Sequence, residues 1–214
     1  MKKIKLFIFD LDGTLVDSKK DIADGVNYTL RRLGLPALDD GVIYKFIGDG
    51  SWQLIERALG NSKKHDISNA LEIFRDYYSR HLTVTTKLYP GVKGILSHYG
   101  DRKKAVVTNK YESYSLKILA DLEILPCFDL ILGSDSLKKC KPDPLPLKFT
   151  MEKFKALPSE TVMVGDSAND ILAAKAAGVI SCAVGYGLES RERIMSYEPD
   201  FFIEKISGLK RIFK

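Results

Sequence analysis

Six short apolar runs punctuate this chain of 214 residues and constrain its fold more than any other feature. They are "IKLFIF" (4–9), "KAVVT" (104–108), "FDLIL" (128–132), "TVMVG" (161–165), "ISCAV" (180–184) and "DFFI" (200–203). Each is too short for a core helix, rich in Val, Ile and Phe, and not strictly alternating. That is the pattern of strands covered on both faces of a parallel sheet. Residues 111–122, 144–155 and 168–177 carry helical spacing between them, so the chain reads as a doubly wound α/β fold with a mainly parallel, Rossmann-like sheet.

The rhythm fails between the first and second strands. Residues 17–85 hold helical patterns only: "DIADGVNYTLRRLG" after a Ser18-x-x-Asp21 capping signal, then "SWQLIERALG" and "ISNALEIFRDYYSRHL". "LYPGV" (88–92) marks the return to the α/β part, with Pro90 expected in a first helical turn. The expected organisation is a core of residues 1–16 and 86–214 carrying a helical insert, 17–85.

Charge and cysteine content narrow the classes. Lys and Arg number 33 against 28 Asp and Glu, a mild +5 that favours anionic substrates slightly and lacks the basic stripe of a nucleic-acid binder. Cys127, Cys140 and Cys182 form no Cys-x-x-Cys pair, which disfavours zinc and a disulfide framework and suits a reducing, cytoplasmic setting. His65, His81 and His98 have no metal-ligand spacing. The N-terminal apolar run is too short and too charged for a signal peptide, and no stretch approaches a membrane helix. The "NYT" sequon at Asn27 sits in a helical pattern and is read as coincidence. "VGYG" (184–187) is too short for a dinucleotide fingerprint.

Open α/β sheets bind ligands beyond the carboxyl ends of their strands. Asp10 and Asp12 stand there after the first strand, Thr108 and Asn109 after the second, and Asp166 after the fourth. Asp170 follows in the first turn of the next helix, where Ser167-x-x-Asp170 is also an ordinary capping pair. The insert departs beside the first strand and is expected over the same mouth. Buried carboxylates are costly unless paired or bound to metal. Four of them would repel an anionic substrate unless a divalent cation compensated. With no His or Cys nearby, the donors favour a hard cation, Mg²⁺ first. Such a pocket can take a phosphate. Asp10 then suits attack on phosphorus to give an aspartyl-phosphate, and Asp12 suits general acid and base work. The Thr108 hydroxyl, backbone N–H groups and a lysine would help to neutralise the phosphoryl group.

"DLDGT" followed in order by "VVTNK", "CKPDP" and "VGDSANDILAAKAAG" resembles the haloacid dehalogenase-like superfamily over nearly the whole chain. Within it, "DGTLVDS", "FIGDGSWQLIERALG" and "LYPGV" are most similar to the phosphoglycolate phosphatase branch. The resemblance implies Asp10 as nucleophile and Asp12 as general acid/base. It implies a phosphate site of Thr108 and Lys141, to which Asn109 is added as a neighbour. Mg²⁺ is then held by Asp10, the Asp12 carbonyl and Asp166, with Asp170 coordinating directly or from behind. It also implies a small mobile cap, a Mg²⁺-dependent phosphatase and a small phosphorylated metabolite such as 2-phosphoglycolate as partner, with neither nucleic acid nor membrane. Tyr111 stands where a Pro is common. A phosphosugar mutase, a pyrophosphatase or a nucleotidase on the same scaffold stays open. So does a non-catalytic, phosphorylatable receiver-like switch. Lys45 is available for the imine of a phosphonate hydrolase, and a dehalogenase is disfavoured by the second aspartate.

Overall fold

The computed structural model describes residues 3–60 and 66–214; His65 lies outside them. The chain divides into two compact units, one of Met1–Asp17 with Leu88–Lys214 and one of Ser18–Lys87.

In chain order the strands are β1 (Leu6–Phe9), β2 (Val16–Asp17), β3 (Lys87–Leu88), β4 (Lys103–Val107), β5 (Leu130–Leu132), β6 (Thr161–Gly165), β7 (Ile180–Val184) and β8 (Phe201–Ile203). The helices are α1 (Lys19–Arg32), α2 (Asp40–Tyr44), α3 (Ser51–Leu59), α4 (Ile67–Ser79), α5 (Val92–His98), α6 (Glu112–Asp121), α7 (Leu145–Phe154), α8 (Ala168–Ala177), α9 (Arg191–Met195) and α10 (Leu209–Ile212).

The first unit is built on a six-stranded sheet in the order β5-β4-β1-β6-β7-β8. Every pairing in it is parallel, so the doubly wound α/β expectation holds. All six apolar runs form its strands. β1 shows why they read as continuous: Leu6 and Ile8 enter a cluster with Val107, Leu147, Met151 and Met163. Phe7 instead packs its ring on Tyr99 at 4.2 Å, and Phe9 meets Phe128 edge-on at 6.3 Å. Its four side chains are wholly buried, each contributing roughly 1.5–3 kcal/mol of apolar transfer. Strand order reverses around β1, which is flanked by β4 and β6 from later in the chain. The crevice at the carboxyl ends of these strands is therefore the natural ligand position.

The helical unit folds on its own contacts. Gly25 of α1 lets Phe74 of α4 approach, since a Cβ there would lie 2.9 Å from the ring. Tyr28, Tyr77 and His81 stack in series at 4.2 and 4.0 Å. Asn27, the sequon residue, is buried; its amide donates to the Leu38 carbonyl and its oxygen accepts from the Leu38 N–H.

Two local expectations need correction. Ser18 precedes α1 but makes no side-chain capping bond. Asp21 instead accepts from the N–H and hydroxyl of both Thr85 and Thr86, joining the start of this unit to its end. Burial alone would raise the Asp21 carboxyl, but these four donors bring it below its ordinary value. Pro90 lies outside α5: Gly91 caps that helix from a left-handed conformation, φ +93°, which places the proline in the preceding turn.

Candidate active site

β1 delivers Asp10 to the carboxyl edge of the sheet. There its N–H donates to the Val164 carbonyl of β6, and its Oδ1 accepts from the Leu11 N–H at 2.7 Å. The chain then folds tightly over residues 11–16. The N–H groups of Thr14, Leu15 and Val16 all donate to the Leu11 carbonyl, and Gly13 N–H donates to Val16. This turn brings Thr14 to Asp166, whose Oδ1 accepts from the Thr14 hydroxyl at 2.8 Å.

Asp166, at the end of β6, is wedged between two glycines. A Cβ on Gly13 would lie 2.1 Å from its Oδ2, and one on Gly187 would lie 2.2 Å from its Cβ. The second oxygen accepts from the Leu188 N–H at 2.8 Å. "VGYG", without use as a dinucleotide fingerprint, thus supplies one wall of the acidic site. Tyr186 adds a hydroxyl donated to the Thr14 carbonyl.

Asp170 divides its carboxylate between two tasks. Oδ2 accepts from the N–H and hydroxyl of Ser167, as the capping reading requires, and Oδ1 accepts from Lys141 Nζ at 2.5 Å. A Cβ on Gly165 would overlap it at 2.2 Å, so strand and helix meet closely here. Lys141 reaches Asp10 as well, Nζ to Oδ1 at 3.0 Å, and its side chain is 1% exposed. Asn109 donates its amide to the Lys141 carbonyl at 2.9 Å, which anchors the lysine's main chain. Thr108 is buried at the end of β4, and its hydroxyl oxygen accepts from the Lys110 N–H at 3.3 Å.

Oxygens of Asp10, Asp166 and Asp170 lie within 4.8 Å of one another. Burial raises the Asp10 carboxyl to about 6, helped by the Asp170 charge and opposed by Lys141. Burial and the charges of Asp10 and Asp170 likewise push Asp166 well above the carboxylate range, against the Leu188 and Thr14 bonds. Lys141 is held charged: burial opposes this, but Asp10 and Asp170 outweigh it and raise its value. These are the properties of a site short of positive charge. The all-oxygen, preformed donor set fits a hard divalent cation, which would lower both carboxyls by direct attraction.

Asp12 stands apart from that trio, with Oδ2 2.9 Å from Lys110 Nζ. The side chains of this pair are 13% and 7% exposed. Thr14 lies within "DLDGT" and Gly187 within "VGYG", but no local sequence pattern gives either of them, or Leu188, its contact with Asp166. Lys110 has only a neighbouring signal, its place directly after Thr108 and Asn109. Lys45 is exposed at the end of α2. No helix among the described residues is long and apolar enough to cross a membrane.

Known proteins are similar to this chain in sequence and fold. The family model for haloacid dehalogenase-like hydrolases matches residues 7–184. A phosphoglycolate phosphatase of Colwellia psychrerythraea is 39% identical, covering 99% of each chain. One from Vibrio parahaemolyticus is also 39% identical, over 98% of this chain and 96% of its own. The crystal structure of a predicted phosphoglycolate phosphatase from Haemophilus somnus superimposes with a TM-score of 0.92 at 32% identity, covering 99% of both chains. The chain therefore belongs to the haloacid dehalogenase-like hydrolase family and is a phosphoric monoester hydrolase.

Proposed function

We propose that this enzyme hydrolyses 2-phosphoglycolate, or a closely similar small phosphomonoester, in two displacements at phosphorus with Asp10 as the nucleophile. One observation carries the reading: Asp10 directly follows β1, and its Oδ1 accepts from the Leu11 N–H and lies 3.0 Å from Lys141 Nζ, which supports attack by its other oxygen. The relatives named phosphoglycolate phosphatases, matched over nearly the full chain, support the substrate.

In the first step an Asp10 oxygen attacks phosphorus while the bond to the leaving oxygen breaks, and Asp12 protonates that oxygen. In the second, the Asp12 carboxylate takes a proton from water, whose oxygen displaces Asp10 and releases inorganic phosphate. Thr108 Oγ1 accepts from the Lys110 N–H, so its hydroxyl proton would serve a phosphoryl oxygen. Lys141 offsets charge on both nucleophile and phosphoryl group. Asn109 serves the same site by fixing the Lys141 main chain. Asp10, the Asp12 carbonyl and Asp166 would hold Mg²⁺, with Asp170 supporting the set through Lys141. The bound ion would supply neutralisation of the phosphoryl charge. The helical unit, Ser18–Lys87, is assigned the role of a cap.

Phosphate release is the test, measured with Mg²⁺ and with EDTA on 2-phosphoglycolate, sugar phosphates, nucleotides and pyrophosphate. Chelator-sensitive release, fastest from 2-phosphoglycolate and lost in Asp10→Asn, is the expected outcome. An isomerised sugar phosphate would make the enzyme a mutase, and a stable phosphoenzyme without turnover would make it a switch.

A further inference from the structure

We propose that Lys110 reads the leaving group: its ammonium binds an anionic substituent on the departing alcohol, so that the α/β unit itself prefers esters bearing a carboxylate beside the ester oxygen. The inference rests on the phosphatase reading above and narrows it.

Two lysines enter the acidic site and divide it. Lys141 contacts Asp10 and Asp170, on the side of the nucleophile. Lys110 contacts Asp12, the residue that must touch the leaving oxygen. Its backbone is fixed on both sides. The N–H donates to Thr108 Oγ1, and the carbonyl accepts from the Ser134 N–H at 2.9 Å. A Cβ on Gly133 would lie 2.7 Å from that same carbonyl oxygen, so the chain leaving β5 closes directly against it. The main chain that carries the ammonium is therefore held, and the side chain itself is nearly buried.

Reach supports the assignment. A leaving oxygen hydrogen-bonded to Asp12 Oδ2, the oxygen that Lys110 contacts, lies within about 6 Å of Lys110 Nζ, two hydrogen-bond lengths in series. A carboxylate one carbon from that oxygen extends roughly 3 Å toward the ammonium. An ammonium has three donors, so Lys110 can keep Asp12 and donate to the substrate carboxylate as well. A lysine that merely balanced Asp12 would act alike on every ester; one that reads the alcohol would separate charged from neutral leaving groups.

The test compares kcat/KM for 2-phosphoglycolate and for its neutral carboxamide, in the wild-type enzyme, Lys110→Met and Lys110→Arg, with thermal melts to confirm folding. The wild type is expected to favour the carboxylate ester by about tenfold to a hundredfold, as one charge-assisted bond implies. Lys110→Met should bring that ratio close to one, and Lys110→Arg should restore part of it. Equal kcat/KM for the two esters in the wild type would overturn the inference whatever the variants do. An equal loss on both esters in Lys110→Met would reduce Lys110 to a partner of Asp12 and overturn it as well. Phosphate release from neither ester by the wild type would instead overturn the phosphatase reading, and this inference with it.

Discussion

Gly187→Ala probes the acidic site with one methyl group. Gly187 does not have positive φ, unlike Gly13 at +83°, so an alanine there meets a problem of space and not of backbone conformation. Its Cβ would lie 2.2 Å from the Asp166 Cβ and 2.4 Å from Oδ2. Ordinary carbon contacts begin near 3.5 Å, so Asp166 must retreat by about 1.3 Å. That retreat strains the bonds to Thr14 and Leu188, both 2.8 Å. Overpacking of this kind costs roughly 1–3 kcal/mol, equivalent to a fall of about 2–12 °C in Tm for a chain of this size. On the proposed reading of Asp166 as a cation ligand the larger effect is on function, because its displacement would weaken the cation site by about 10- to 100-fold. Phosphate release measured against Mg²⁺ concentration should show the half-saturating concentration rising by that factor, with activity partly recovered at high Mg²⁺. An unchanged Mg²⁺ dependence together with an unchanged Tm would refute the wedging of Asp166 and its role as a ligand.

Other perturbations separate structure from catalysis. Asp21→Asn removes a carboxylate serving four threonine donors and should destabilise the protein by roughly 2–4 kcal/mol at neutral pH in denaturant melts. Because folding lowers the Asp21 carboxyl, its stabilisation is complete above the unfolded value near ~3.9 and is lost as pH falls through the lower folded value. The gap between wild type and Asp21→Asn should therefore narrow below about pH 4; a gap independent of pH would contradict an ionised Asp21. Lys141→Met should lower kcat by about 10²–10³ while the protein still folds, and a near-normal kcat would remove Lys141 from charge stabilisation.

The inner sheet strands are legible in the sequence because they are buried on two faces, as Leu6/Ile8 and Phe7/Phe9 show within β1; the edge strands β5 and β8 are apolar too, though only partly buried. A continuous apolar run is then a direct imprint of its surroundings. Asp10 and Asp166 are legible for the opposite reason, since carboxylates placed at the end of such a run are costly unless a cation or a partner compensates them, whereas Asp170, in the first turn of α8, reads equally as the capping partner of Ser167. What is not legible depends on contacts distant in sequence. Ser18-x-x-Asp21 has the spacing of a capping box, yet Asp21 is claimed by Thr85 and Thr86, which no local pattern reveals. Gly187 reads as a turn residue, and its closeness to Asp166 arises only when β6 and β7 pair. Lys110 sits in a stretch whose visible signal is Thr108. Its pairing with Asp12 needs β1 and β4 side by side, in the register that sets Phe9 opposite Val106.

Passage of phosphorus through Asp10 can be caught by rapid acid quench during turnover of 2-phosphoglycolate labelled at phosphorus. The expected result is a transient phosphoenzyme whose label maps to the peptide containing Asp10, is released by hydroxylamine and is absent from Asp10→Asn. Turnover at full rate with no phosphoenzyme, and inversion at phosphorus in a chiral substrate, would mean direct attack by water and would contradict it.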